Sequence, residues 1–117
     1  MKIMHTGLAL AVLAASLVMG HGPASAGDAA KGKILFTEKY GCFQCHGTVG
    51  QGGNAGPKLA PDPMPFDALA NFVRTTSRQM PPYRESVLPN EDLADIYAYL
   101  QSVPAVPDYK TIPILNN

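Results

Sequence analysis

Cys42, Phe43, Gln44, Cys45 and His46 place two thiols three positions apart, with an imidazole directly after the second. That spacing is the attachment pattern of a c-type haem. The thiols can bond to the two vinyl groups on one porphyrin edge, and the adjoining His46 is then carried under the ring to ligate the iron. Other chemistries use a Cys-x-x-Cys pair too: a redox dithiol, half of a zinc site, or a plain disulfide. The chain has only these two cysteines, and its other histidines, His5 and His21, lie in the first 26 residues. A tetrahedral zinc site would be short of soft ligands. A thioredoxin-like dithiol should follow a strand in an alternating β/α chain, and no such alternation is visible. A structural disulfide remains as the plain alternative to haem attachment.

The residues around this motif resemble the class I cytochromes c. The resemblance rests on Cys42, Cys45 and His46, on Gly56-Pro57-Lys58-Leu59, and on Met80-Pro81-Pro82-Tyr83. It implies one covalently bound haem c, with His46 and Met80 as the two iron ligands. It also implies that the Pro57 carbonyl orients the His46 ring through the nitrogen facing away from the metal. Cofactor-binding residues are therefore expected at Cys42, Cys45, His46, Pro57 and Met80, and catalytic residues nowhere. Met64, the other methionine after residue 26, sits between prolines and is expected to pack. The interval from His46 to Met80 is short for the family, which implies a more exposed propionate edge. Trp is absent, so propionate contacts are expected from Arg74, Arg78 or Tyr83.

The first 26 residues differ from the rest. Lys2 gives a positive start, Leu8 to Met19 is apolar except for Ser16, and Ala24-Ser25-Ala26 is a small-x-small cleavage pattern. Together these read as a secretory signal peptide. The apolar run is shorter than the ~20 residues a spanning helix needs, so no stable membrane insertion is expected. Export fits the resemblance, because haem attachment in bacterial relatives follows export. The expected organisation is a leader at 1–26, a cytochrome c domain at 27–103 and an extended tail at 104–117. In a bacterial host the compartment is the periplasm.

Cleavage would leave 91 residues with eight Lys/Arg against nine Asp/Glu. One small domain of that size sits near the lower limit for a self-supporting core, so the haem is expected to complete it. With no basic stripe, nothing points to nucleic acid.

The elements that position the motif must be helices. Asp28 supplies an N-cap for a helix to about Tyr40, with Gly32, Phe36 and Tyr40 at i, i+4 and i+8. A mid-helix glycine costs about 1 kcal/mol against alanine, so Gly32 implies close approach of another helix. In the family that partner is the C-terminal helix. Here Pro89-Asn90-Glu91-Asp92 would cap it, placing carboxylates at its positive end. Leu93, Ile96, Tyr97 and Leu100 form its stripe, with Tyr99 off centre. Either Tyr97 or Tyr99 would be the aromatic at the crossing. A shorter helix is expected from Phe66 to Val73, preceded by prolines at 61, 63 and 65 that exclude helix there. The glycines between residues 47 and 56 are expected to turn the chain tightly around the haem edge. The predicted class is all-α: a cytochrome c fold of three to four helices around one haem.

A His/Met-ligated iron has no open position and a raised reduction potential. The predicted activity is therefore single-electron transfer. The carrier would be a soluble shuttle or the cytochrome subunit of a periplasmic dehydrogenase. The donor would be that dehydrogenase or another redox protein, and the acceptor a terminal oxidase or another cytochrome. The alternative from another class is a haem enzyme or gas/redox sensor in which Met80 is displaced.

Overall fold

The computed structural model of the protein describes residues 26–115, so the expected leader lies outside the described residues up to position 25. Among the described residues all regular structure is helical and there is no strand. The order is α1 (Ala29–Ile34), a π-helical stretch (Leu35–Lys39), α2 (Phe43–His46), α3 (Phe66–Thr75) and α4 (Asn90–Ser102). Two single 3₁₀ turns, Tyr109–Thr111 and Pro113–Leu115, follow in the tail. The all-α reading of the sequence holds.

Asp28 caps α1: its carboxylate accepts from the amides of Ala30 and Lys31 at 2.8 and 3.0 Å. The single α-helix expected to reach Tyr40 instead widens after Ile34. Its last turn is closed by Tyr40 N–H donating to Leu35 O at 2.9 Å, an i to i+5 bond. Such a π-bulge inserts an extra residue into the turn and shifts the facing of everything after it. Adjacent Leu35 and Phe36 at its start are both buried, and Tyr40 at its end donates to Asp92 Oδ2 at 2.7 Å.

Helices α1 and α4 cross in close contact. Gly32 is the point of closest approach, because a methyl group there would collide with the backbone carbonyl of Asp95. Around it stand charges that the sequence pattern did not place. Lys31 Nζ contacts Asp95 Oδ2 at 2.6 Å and Asp92 Oδ1 at 3.2 Å, and Lys39 Nζ contacts Asp92 Oδ2 at 2.7 Å. Asp95 Oδ1 also accepts from the Asp28 amide at 2.7 Å. Asp92 is therefore more than a carboxylate at a helix end; it is buried in the crossing. Asn90 does not cap α4 with its side chain.

Tyr99, not Tyr97, is the aromatic at the crossing. It is buried against Phe36 with ring centroids 5.6 Å apart, and its hydroxyl donates to Thr48 O at 3.4 Å. Tyr97 is half-buried and meets Phe66 edge-on at 5.4 Å. Helix α3 runs two residues past the expected end and buries Leu69 and Val73. No residue of the two tail turns is buried, and Val106 and Ile114 are 83% and 80% exposed.

Candidate functional site

Helix α2 is one turn long and holds most of the motif. His46 N–H donates to Cys42 O at 3.1 Å, so Cys42 and His46 share a helical face. Cys45 stands one turn from Cys42 on the same side, and all three residues line one cleft. Gly41 leads into the turn and Gly47 ends it, both at positive φ (64° and 81°).

The structure fixes the His46 tautomer. Nδ1 lies 2.9 Å from Pro57 O. A carbonyl can only accept, so Nδ1 carries a proton, and in the neutral ring the lone pair is on Nε2. The chain between His46 and Pro57 is drawn back tightly: Gly52 N–H donates to His46 O at 2.8 Å and Gly53 N–H to Gly56 O at 2.9 Å. At Gly56 a methyl group would lie 2.9 Å from both Cys45 O and His46 Nδ1. Only a hydrogen lets this segment lie against the imidazole.

The cleft measures about 630 Å³, within the ~300–1,000 Å³ of ligand sites. Its walls are apolar: Leu69 and Val73 from α3, Leu93, Ile96 and Leu100 from α4. Met80 and Tyr83 close it from the segment joining those two helices. Met80 is half-buried, and its carbonyl accepts from the Thr76 hydroxyl at 3.3 Å. Met64, expected as a packing residue, is 44% exposed and lines the cleft as well.

The chemistry of the two thiols separates the readings of the motif. They are free, not joined to each other. Burial pushes the Cys42 thiol up to about 11, whereas a redox dithiol needs its nucleophilic thiol lowered. Among the described residues no group of three or more His, Cys, Asp or Glu side chains could hold a metal. What fits the donor set is a large apolar ligand with two thiol-reactive positions and a metal that takes an imidazole nitrogen and a thioether.

Of the residues expected near the propionates, Arg78 lines the cleft and is exposed. Tyr83 lines it half-buried, its hydroxyl donating to Tyr40 O at 3.5 Å. Burial, followed by the nearby thiols, raises its pKa. Arg74 is engaged elsewhere: its guanidinium donates to Tyr83 O, Leu88 O and Asn90 Oδ1 at 2.7, 2.7 and 2.9 Å.

Residues 27–100 match the protein family described as cytochrome c oxidase, cbb3-type, subunit III. The chain belongs to this c-type cytochrome family. In the same comparisons no curated protein and no solved structure matches. A c-type cytochrome domain carries a covalently bound haem c and transfers electrons, and the Cys-x-x-Cys-His spacing is the one such attachment uses. The match begins one residue before Asp28 and stops two before the end of α4. It thus covers the crossing and the cleft of this cytochrome and leaves the tail outside. No helix among the described residues is long and apolar enough to cross a membrane.

Proposed function

We propose that this c-type cytochrome is an exported single-electron carrier working in the periplasm. Cys42 and Cys45 are its thioether positions, His46 and Met80 its iron ligands, and Pro57 the residue that orients His46. The observation that carries the reading is convergence: both thiols, an imidazole with a free Nε2 and a thioether border one apolar cleft. The bound haem supplies one-electron exchange at a potential raised by thioether ligation. The protein's own part is to hold the donors still. His46 is fixed in tautomer by Pro57 O, and Met80 is held by Thr76 and the rigid prolines that follow it. The apolar walls would keep water from the bound haem, and with His46 and Met80 both on the iron no site would be left for a substrate. The proposed organisation is a leader at 1–26, the cytochrome domain at 27–103 and a tail at 104–117.

A second observation bears on how the carrier is used. The tail exposes Val106, Tyr109, Ile114 and Leu115, a cost in water that contact with another protein would remove. This favours the cytochrome subunit of a periplasmic dehydrogenase over a free shuttle. The description of the matched family, an oxidase subunit, supports a terminal oxidase or another cytochrome as the acceptor. Deleting residues 110–117 is expected to leave the visible spectrum intact and to weaken pull-down of the donor enzyme. Unchanged recovery would return the protein to the shuttle reading.

The test of the ligand set is spectroscopic. Wild-type protein is expected to be low-spin in both oxidation states, with a weak far-red sulfur–iron band that Met80→Ala abolishes. A high-spin spectrum, or a band the substitution leaves untouched, would put the haem enzyme or gas-sensor reading in its place.

A further inference from the structure

The segment from Thr76 to Pro89 crosses the cleft mouth between α3 and α4 with little structure of its own. Yet it carries the residue that must stay on the iron. Its ties can be traced one by one. The Thr76 hydroxyl holds Met80 O at 3.3 Å. Tyr83 N–H donates to Val73 O at 2.9 Å. A short turn follows, with Val87 and Leu88 both donating to Arg84 O at 2.9 Å. Asn90 Nδ2, at the start of α4, donates to Glu85 Oε1 at 2.9 Å. Every remaining side-chain tie to the flanking helices comes from one side chain.

That side chain is Arg74, in the last turn of α3. Its Nη1 donates to Tyr83 O, and its Nη2 to Leu88 O and Asn90 Oδ1. Three of its five donors are thus spent on this segment and on the first residue of α4. None of its contacts is an ion pair. A guanidinium that serves only neutral oxygens is not neutralising charge; its planar fork sets the spacing of three acceptors.

We propose that Arg74 is a positioning residue for the distal ligand, clamping the Met80 segment between α3 and α4 so that the thioether stays on the iron. The inference rests on the reading of Met80 as the sixth ligand. The coupling runs through Tyr83. Its amide is held by Val73 and its carbonyl by Arg74, so the residue is pinned on both sides to the end of α3. Only Pro81 and Pro82 lie between Tyr83 and Met80. Their rings lock φ and offer no N–H to bond elsewhere. A displacement of Tyr83 therefore passes to Met80 as movement of a stiff arm and is not absorbed on the way. At its far end the clamp seizes Leu88, which is buried at the root of α4.

Removing the fork takes charge-assisted donors from two backbone carbonyls, and the open state of the segment is expected to rise about tenfold or more. The experiment is imidazole titration of the ferric protein, with the far-red band and the reduction potential measured on the same samples. Arg74→Ala is expected to weaken the band, to bind imidazole about tenfold more tightly and to lower the potential. Arg74→Lys keeps the charge without the fork. It should move the same three readouts in the same direction, and it carries the test if the alanine variant does not fold. Lys31→Met, which breaks ion pairs at the distant α1–α4 crossing, is the control. It should lower the melting temperature and leave imidazole affinity alone. Arginine variants that melt earlier but keep the wild-type band, affinity and potential would overturn the clamp. So would a Lys31→Met protein that binds imidazole as tightly as they do. A wild-type protein without the band would instead overturn the Met80 assignment and the clamp with it.

Discussion

The two halves of this small domain solve the problem of burial in opposite ways. At the α1–α4 crossing, protein meets protein with nothing between. Gly32 lets the backbones approach, Phe36 and Tyr99 fill the space beside it, and Lys31 and Lys39 neutralise the carboxylates trapped there. On the other side, α3, the Met80 segment and the inner face of α4 surround about 630 Å³ that no side chain fills. The first half is complete as polypeptide. The second is a wall around a cofactor. One face of α4 serves each half, so Leu93, Ile96 and Leu100 link a finished core to an unfinished one.

The largest effect expected from this contrast is that of losing the haem. Without the haem the apolar walls of the cleft, Leu69, Val73, Leu93, Ile96 and Leu100, would face water, at a cost of about 1.5–3 kcal/mol for each side chain fully exposed against the ~5–15 kcal/mol a domain has in total. The apoprotein cannot keep the cleft open and dry. Hydrogen exchange on protein made without haem attachment should show amides in 66–88 exchanging almost unprotected. Amides of α1 and α4 should retain partial protection, because their contact owes nothing to the cofactor. Uniform protection in the apoprotein would break the comparison, since it would mean the cleft side closes unaided.

The same contrast explains how much the sequence could say. The helices were legible because Leu93, Ile96 and Leu100 repeat at helical spacing, and because Gly32 and Phe36 only make sense at a crossing. The motif was legible because three chemically unusual residues stand within five positions. The π-bulge was not, since Leu35–Lys39 is built of ordinary helix formers and the widening answers to tertiary demands from α4. The sequence showed Asp92 only as a carboxylate at a helix start and gave no sign of Asp95, because their partners lie 52 to 67 positions away. The i, i+3 spacing of the two carboxylates on α4, beside Leu93 and Ile96, was the available hint that they face inward. Arg74 stood with Arg78 and Tyr83 as a candidate propionate contact because sequence shows a charge but not the carbonyls it serves.

Replacing Gly32 sharpens the comparison from the other side. In an exposed helix, Gly→Ala would gain about 1 kcal/mol. Here the methyl meets the Asp95 carbonyl, which is backbone and cannot swing away. Overpacking of that kind costs about 1–3 kcal/mol, so the crossing should lose more than the helix gains. Holoprotein carrying Gly32→Ala is expected to melt several degrees lower with its visible spectrum unchanged, which chemical or thermal unfolding followed by circular dichroism would show. A stabilised variant would mean that α1 and α4 separate easily and that the crossing is not a finished core.

The smallest effect is electrostatic, and its pH dependence identifies it. Asp92 is held down to about 2, first by its hydrogen bond from Lys39 and then by that from Tyr40, and Asp95 is lowered chiefly by Lys31. An unfolded carboxyl titrates near ~3.9. These lowered groups therefore contribute stability that is full above about pH 4 and is lost as pH falls toward about 2. Lys31 and Lys39 are raised by the same bonds. Their contribution is full below their unfolded value of ~10.4 and is lost as pH rises past the higher folded one. The network is thus flat across neutrality. Because both ammonium groups are half-exposed, screening keeps the value of Asp92 to about 1 kcal/mol, or about 4–8 °C in a domain of this size. Asp92→Asn, which mimics the protonated acid, should melt lower than wild type by that margin at pH 7. The two melting temperatures should converge as pH falls toward 2. Haem ligation is common to both proteins and cancels in the difference. A gap that stays constant down to pH 2 would mean that packing, not charge, accounts for the loss, and that the crossing tolerates its buried carboxylates without needing their partners.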